Sequence, residues 1–497
     1  MMEDGMTNRN ANWLVMVYIS ADGVLANFAV ESLKQLKRAA GKDVVVVAQF
    51  ETDGIIPAKL YVFDGTDATK PLTDGEPVPV KRPASVERPS AGDLKDFINR
   101  AVGKAPQAEH HALFLWGHGP ELLSNEGPRS EAEAADERKN PDKSIETNYL
   151  RPSDLKEALS RTQLANQNEK IDILGLDACS MSMAELATEL GEHVQFMVAS
   201  QDDVPDQSFP YGDILPRLKD LASAKDASTV IPEVYREAYR DYITDPRTGF
   251  RGFTLSTVDL DKNKIGRVTA ALTKLAALLL ELSKNKDARG KIFDARKVTR
   301  GFVFGLFVDI VDLCDKLKAS KIASPYLSPA CDEMRKAIKG AVAENSMRKN
   351  PVGPVQPVDK QTPAGARVEA VHGLSVYFPY RIPDLTEQLQ ELRKGAGGFP
   401  KKERTQRIHE LERDFAGLQR FSETGWMKFI QEGWSSILTE QAAEEAKKGR
   451  LILDEIYSAQ QCAQNLGSLG PDQEQRREYE AKQRATARPI PREEPAA

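Results

Sequence analysis

Cysteine is scarce in this chain. Only four occur in 497 residues (Cys179, Cys314, Cys331 and Cys462), none in a CxxC pair. Neither a disulfide framework nor a zinc ribbon can organise so long a polypeptide on that supply. A surplus of basic charge is also missing: 68 Lys and Arg stand against 74 Asp and Glu, a net charge near -6, with no large basic block. Proteins whose main work is gripping nucleic acid are more basic, so no nucleic-acid partner is expected. There is no long apolar run either. The greasiest stretch, VTAALTKLAALLLEL, is interrupted by Lys274 and Glu281, short of a membrane span, and no membrane partner is expected. The opening MMEDGMTNRNANW carries acid where a signal peptide carries base, and it lacks an apolar core. The expectation is a soluble, cytoplasmic protein. A glycine fingerprint after the first strand is absent, which argues against a nucleotide-binding domain. GAGGFP at 395–400 has no strand before it and no helix after it, and reads as a turn.

What is present is a sheet-forming alternation. Apolar, β-branched runs at Leu14–Ser20, Val44–Phe50, within HHALFLWGHG, at Ile171–Cys179 and at Gln195–Ser200 are separated by helical patterns near Ala29–Ala40, Ala91–Val102, Ser153–Thr162 and from Met181. KLYVFDG reads as a hairpin arm. Continuous apolar strands alternating with helices predict an α/β fold, a mostly parallel sheet sandwiched by helices. Residues 1–217 form the expected catalytic core. Residues 218–435 form a helical region with added strands near Gly252–Leu260 and Gly373–Tyr380, completing the unit, with a Pro-rich connector at 349–367. Residues 436–497 form a charged helix and a disordered tail. The segment 119–149 is long, charged and nearly without apolar residues after Leu123. It is expected to be a flexible flap or a processing loop.

Two strand ends carry the chemistry. WGHGP puts His118 between glycines just past the third core strand, and LDACSM puts Cys179 at the end of the fourth. Open parallel sheets bind ligands outside the carboxyl ends of their strands. If these strands are neighbours, His118 and Cys179 meet there, 61 positions apart in sequence. A thiol must ionise to attack a carbonyl, and an imidazole and a helix N-terminus beside it both favour that. The amides of Gly119 and Cys179 are candidate oxyanion donors. Asp177 shares a face with Cys179 by strand alternation. Inside an apolar strand its carboxylate needs a partner: either a basic substrate side chain or the backbone amides of a neighbouring loop. ASQDDVPDQSFPYGDIL supplies Asp202, Asp203, Asp206 and Asp213 after the next strand. That loop could line the same pocket, remain a solvated acidic loop, or hold calcium weakly. No cofactor is required by such chemistry, with Ca2+ the one possible addition. His110 and His111 open their strand and are expected to be exposed at its far end, away from the chemistry. His193, His372 and His409 lack metal-ligand spacing, and Cys314 and Cys331 read as inert core thiols on helices. Trp426, Phe429 and Trp434 follow helical spacing and read as packing.

WGHG, LDACSMSMAELATEL, MVASQDDVPDQSFPY and HGLSVYFPY together resemble the clostripain family of cysteine peptidases, from about Trp13 to Trp434. The resemblance implies a caspase-like fold and an endopeptidase with His118 and Cys179 as catalytic dyad. It further implies cleavage after Arg or Lys through an acidic pocket carried by Asp177 and Asp206, so the expected partner is a protein or peptide substrate basic at P1, the residue before the scissile bond. It also implies a zymogen that cuts itself between the dyad residues, where Arg129, Arg138, Lys139 and Lys143 are candidates. The chain departs from the family's DACLMG in having Ser180 and Ser182. Those serines are the hint towards the alternative, a catalytically silent caspase-like module in a signalling or defence complex with a regulatory protein partner.

Overall fold

The computed structural model describes residues 11–119, 151–239, 253–348, 371–379 and 411–447, apart from 22–24, 53–57, 67–71, 73–74, 79–89, 106, 203, 206 and 303–305. Nine strands form one sheet. Five are parallel and central: β1 (Trp13–Ala21), β2 (Val44–Thr52), β5 (His110–Trp116), β6 (Ile171–Asp177) and β7 (Val194–Ala199). Antiparallel strands extend it at both edges: β3 (Lys59–Phe63) and β4 (Glu76–Pro77) beyond β2, β8 (Phe253–Asp259) and β11 (Val342–Arg348) beyond β7. The order is β11-β8-β7-β6-β5-β1-β2-β3-β4. The expected mostly parallel sheet is therefore present, and strands from beyond residue 218 complete it. β11 was not foreseen: VAENSMR is polar enough to pass for a helix end, and it pairs only as an antiparallel edge.

Each central strand is buried on both faces, which is why its sequence runs apolar without alternation. In β1, Leu14, Met16 and Tyr18 belong to one core with Leu94, Phe97, Ile98 and Ala101 of α2 (Ala91–Lys104). Trp13, Val15, Val17 and Ile19 belong to the opposite core with Leu33 and Leu36 of α1 (Ala26–Ala39). α2 starts with a capping box between Ser90 and Asp93, satisfying two of its orphan amides. On the side of α1 lie two further helices, α5 (Tyr211–Leu218) and α6 (Ala224–Ala238). α3 (Pro152–Ser160), α4 (Ala184–Leu190) and α7 (Lys262–Leu282) lie with α2. No helix among the described residues is long and apolar enough to cross a membrane.

A second, three-stranded sheet joins β9 (Gly301–Phe302), β10 (Phe307–Asp309) and β12 (Ser375–Tyr377) in the order β12-β10-β9. Strands of two or three residues carry too little pattern to be read from sequence, and β9 and β10 were not foreseen. Between them and α7 run α8 (Lys286–Lys297), α9 (Ile310–Ala319) and α10 (Leu327–Ala341), with Cys314 and Cys331 buried on the last two. An aromatic cluster covers the small sheet: Trp426 donates from Nε1 to the Tyr377 carbonyl at 2.6 Å and Trp434 to that of Pro379 at 2.6 Å, bringing the 426–434 segment down as packing. His110 opens β5 and stacks on Trp13 with centroids 4.6 Å apart, while His111 is 9% exposed, so this pair is less open than the sequence suggested.

Glu185 of α4 sits where the two sheets meet. Its Oε1 accepts from the Tyr377 amide at 2.7 Å, and its Oε2 is buried without a hydrogen-bond partner among the described residues. Burial pushes this carboxyl up to about 8, against the pull of that amide. A raised carboxyl favours the folded protein fully below its unfolded value near 4.5, and that contribution is lost as pH climbs towards 8. The loss reaches at most about 1.4 kcal/mol per pH unit. Glu185→Gln is expected to flatten the decline of thermal midpoint between pH 6 and 8 and to exceed the parent's midpoint at pH 8. Melting both proteins across that range checks it, and parallel curves would refute it.

Candidate active site

The sheet register builds the site. β5 and β6 are adjacent and parallel, paired from Ala112↔Ile173 to Trp116↔Asp177, and the Gly117 amide donates to the Asp177 carbonyl at 3.2 Å. Two residues further along each chain stand His118 and Cys179, so one register step carries both to the same place on the carboxyl edge. Neighbouring strands lie about 4.8 Å apart. The turn that releases His118 depends on Gly117, where a Cβ would come 2.8 Å from the Ser20 carbonyl oxygen of β1. His118 is half-buried, Gly119 is buried, and Cys179 is half-buried and in no disulfide. His118 and Gly119 on one side and Cys179 on the other thus follow directly on two adjacent strands at the carboxyl edge.

The helix expected at once after Cys179 begins only at Ala184, with Met183 as its N-cap. Residues 178–180 form a turn in which Ser180 adopts a left-handed φ of 57°, and Met183 forms a parallel bridge with Ser375. No helix N-terminus therefore adjoins the sulfur. In its place the Val204 amide donates to Cys179 Sγ at 3.1 Å. A backbone N–H aimed at sulfur favours negative charge there, as a helix end would have done. The turn is stitched to the end of β7, since Ser180 N donates to the Asp202 carbonyl at 3.0 Å and Ser182 N to that of Ser200 at 2.8 Å.

Asp177 is 4% exposed, and its two oxygens differ. Oδ2 accepts from the Ser208 hydroxyl, from the Phe209 amide at 3.0 Å and from the Tyr211 hydroxyl at 2.8 Å. Oδ1 is buried with no hydrogen-bond partner among the described residues. Burial raises the carboxyl to about 6, although all three donors pull it down. One oxygen thus ties Asp177 to the neighbouring loop, as one of the two sequence readings had it, and the other stays uncompensated. Phe209 and Tyr211 lie against Phe114 at 6.2 and 5.5 Å between centroids, fixing the loop's far end.

The other candidates fare unevenly. Asp203 and Asp206 lie outside the described residues, as do Arg129, Arg138, Lys139, Lys143 and the whole of 120–150. Asp213 is exposed on α5. Asp202 is paired with Arg300 Nη2 at 2.7 Å, and no three acidic, His or Cys side chains converge on a metal position among the described residues. The residues that sequence reasoning passed over are Val204, Ser208, Tyr211 and Arg300. Ser208 and Tyr211 stood inside the quoted MVASQDDVPDQSFPY, and a hydroxyl pair beside an acidic loop was the available signal.

Ser182 has a structural post. Its hydroxyl donates to the Gly373 carbonyl at 2.7 Å and lies 3.2 Å from that of Ser256 in β8, joining the Cys179 turn to the HGLSVYFPY segment. His372 in that segment holds Asp309 at 2.9 Å through Nδ1, and Asp309 Oδ2 accepts from Gln201 at 3.1 Å. The motifs that looked separate in sequence are one hydrogen-bonded body beside the thiol.

Comparison with known proteins bears on the family and the fold. Residues 17–363 match the clostripain family, peptidase family C11. An inactive zymogen C11 protease from Parabacteroides distasonis superposes with a TM-score of 0.52 at 15% identity, over 84% of this chain and 98% of that one. A secreted C11 cysteine protease from Bacteroides thetaiotaomicron, bound to an irreversible peptide inhibitor, does so with a TM-score of 0.52 at 15% identity, over 84% and 99%. At such identity these likenesses bear on the fold alone. No curated protein matches the sequence. Gly117→Ala is expected to displace the 117–119 turn. It should reduce peptide cleavage by roughly 100-fold, the usual penalty of an ångström-scale misplacement, while circular dichroism shows the sheet intact. An unimpaired variant would disconnect this turn from the chemistry.

Proposed function

Starting from the fact that this chain belongs to the clostripain family of cysteine peptidases, we propose that it is an endopeptidase in which Cys179 is the nucleophile and His118 its acid and base, cutting after Arg or Lys. The observation that carries the reading is the register of β5 on β6, which sets the two residues at corresponding positions on one sheet edge. The Cys179 thiolate adds to the scissile carbonyl carbon, and the amides of Gly119 and Cys179 receive the oxyanion. His118 gives a proton to the departing amine, leaving a thioester. His118 then takes a proton from water as it attacks that thioester, releasing the acid and the free thiol. A thiol and an imidazole complete this cycle without a metal.

Asp177 is the proposed receptor for the basic P1 side chain. The support is its Oδ1, buried with no hydrogen-bond partner among the described residues, at the last position of β6 and two residues before Cys179. An arriving guanidinium or ammonium would supply the donor and charge that this oxygen lacks. Asp206 remains a proposed second acid for the same pocket. A zymogen is part of the same proposal: self-cleavage after one of Arg129, Arg138, Lys139 or Lys143 would sever the covalent link between β5 and β6, whose pairing and burial on both faces would still hold them together. The related zymogen from Parabacteroides distasonis supports that reading by analogy.

Arg- and Lys-terminated fluorogenic peptides test the activity: turnover should vanish in Cys179→Ala and fall at least ~100-fold in His118→Ala. Persistent cleavage by Cys179→Ala would end the proposal. Specificity has its own test in pH. Asp177 is charged above about 6, so the kcat/KM preference for Arg over a neutral P1 residue should hold at pH 7.5 and shrink as pH falls to 5. Asp177→Asn should abolish the preference and its pH dependence together, and equal losses on both substrates would leave Asp177 a purely structural role. A fragment map of freshly purified protein by mass spectrometry should show one cut within 119–149, absent from Cys179→Ala.

A further inference from the structure

Arg300 touches nothing in the chemistry described above, yet its contacts lead to the sulfur. It stands between α8 and β9, where its amide donates to Asp312 Oδ2 at 2.7 Å and its guanidinium carbon lies 5.4 Å from the centre of the Phe302 ring. Its Nη2 reaches across to Asp202 Oδ2 at 2.7 Å. Asp202 is joined to the nucleophile's turn from both sides. Its carbonyl accepts from Ser180 N at 3.0 Å, next to Cys179, and two residues on Val204 N donates to Cys179 Sγ at 3.1 Å. Its amide is within reach of the Ser200 and Thr254 hydroxyls at 3.1 and 3.2 Å, fixing the backbone at the end of β7.

We propose that Arg300 is a positioning residue for the nucleophile: its grip on Asp202 sets both the left-handed turn at Ser180 and the Val204 amide that faces Cys179 Sγ. The inference rests on the reading of Cys179 as nucleophile. A pair like this is a poor stabiliser, since both side chains are about one-third exposed, 35% and 32%, and ion pairs so placed add little to folding. Its consequence lies in geometry. Ser180 holds a conformation that a non-glycine residue adopts only under constraint, and the amide at the sulfur is supplied by a loop with no regular structure of its own. Without Arg300 the Asp202 side chain loses this ion pair, while its backbone amide keeps the Ser200 and Thr254 hydroxyls. The N–H then has freedom to turn away from sulfur, and the thiolate loses a donor.

The test uses the full chain and two readouts that do not depend on each other. The pH dependence of Cys179 alkylation by iodoacetamide, followed by mass spectrometry of its peptide, reports the sulfur directly. kcat and KM on an Arg-terminated reporter report turnover. Arg300→Met is expected to raise the alkylation midpoint by ~1 pH unit and to lower kcat by ~10-fold with KM within ~2-fold, leaving the thermal midpoint nearly unchanged. Arg300→Lys should recover part of both. Asp202→Asn should reproduce the effect, and the double variant should be no worse than either single one. An unmoved alkylation midpoint in Arg300→Met and Asp202→Asn overturns the proposal, as does a KM rise confined to Asp202→Asn, which would place Asp202 in substrate binding. If the parent cleaves no peptide while its alkylation midpoint still shifts on substitution, the endopeptidase reading fails and the positioning role stands.

Discussion

The parallel pairing of β5 with β6 is the constraint on which the rest of the molecule depends. One register, Trp116 against Asp177, decides what stands opposite what at the carboxyl edge. Slipping it by one residue would turn every side chain of a strand to the other face. That slip is prevented by burial on both sides. Phe114 and Trp116 must enter the core with Phe209 and Tyr211, while Leu113 and Leu115 enter the core with α2 and α7. Gly175 belongs to the same lock, because a Cβ there would meet the Phe114 ring at 2.3 Å. The ring of one strand lies over the bare backbone of the next, so the pair fits in a single alignment. The chemistry at the edge is therefore positioned by apolar packing well below it.

The second layer of control is polar and comes from far along the chain. Ser182, Ser256, Gln201, Gly373, Asp309 and His372 exchange hydrogen bonds in a buried region between the main sheet and the small one. Residues 201 and 309 are 108 apart in sequence and residues 182 and 373 are 191 apart. A buried network of this kind is stabilising only when its members are satisfied together, so the C-terminal half cannot be a mere appendage. It supplies the carbonyls and carboxylates against which the nucleophile's turn is set. This also gives a place to Ser182, the departure from the family's glycine: its hydroxyl has two partners waiting, and the nucleophile one turn away is untouched by it.

What the sequence disclosed, and what it hid, follows from these two layers. The five central strands were legible because a strand buried on both faces must be apolar without interruption, and VVVVAQF or HHALFLW has no other reading. His118 and Cys179 were legible because glycines and a strand end advertise a turn at the carboxyl edge. The helix start after Cys179 was misplaced, since SMSMAELATEL carries a helical pattern throughout and a left-handed Ser180 leaves no mark in composition. Val204 was invisible for a different reason: its contribution is an amide, which every residue but proline possesses. Arg300 and Asp202 are 98 residues apart, and no local period connects two charges brought together only by the second sheet. Side-chain chemistry on regular elements could be read, whereas backbone donors on loops and long-range ion pairs could not.

Asp177 shows how one group can belong to both layers. Three donors on Oδ2 are what a structural carboxylate needs, and they account for the order of the 208–211 segment. Yet burial still outweighs them, holding the carboxyl near 6 rather than below its usual range. The folded protein has therefore already removed water from Oδ1 without giving it a partner among the described residues. Under the proposed specificity, a neutral side chain beside that oxygen would leave the deficit in place, and a cationic one would cancel it. Discrimination of this kind is strong because the wrong substrate is opposed by a desolvated charge, not merely denied an attraction. It also needs no wide acidic pocket. On that proposal a single oxygen, stripped of solvent by the same packing that fixes the strand register and placed two residues before Cys179, would be sufficient to make a basic side chain the preferred neighbour.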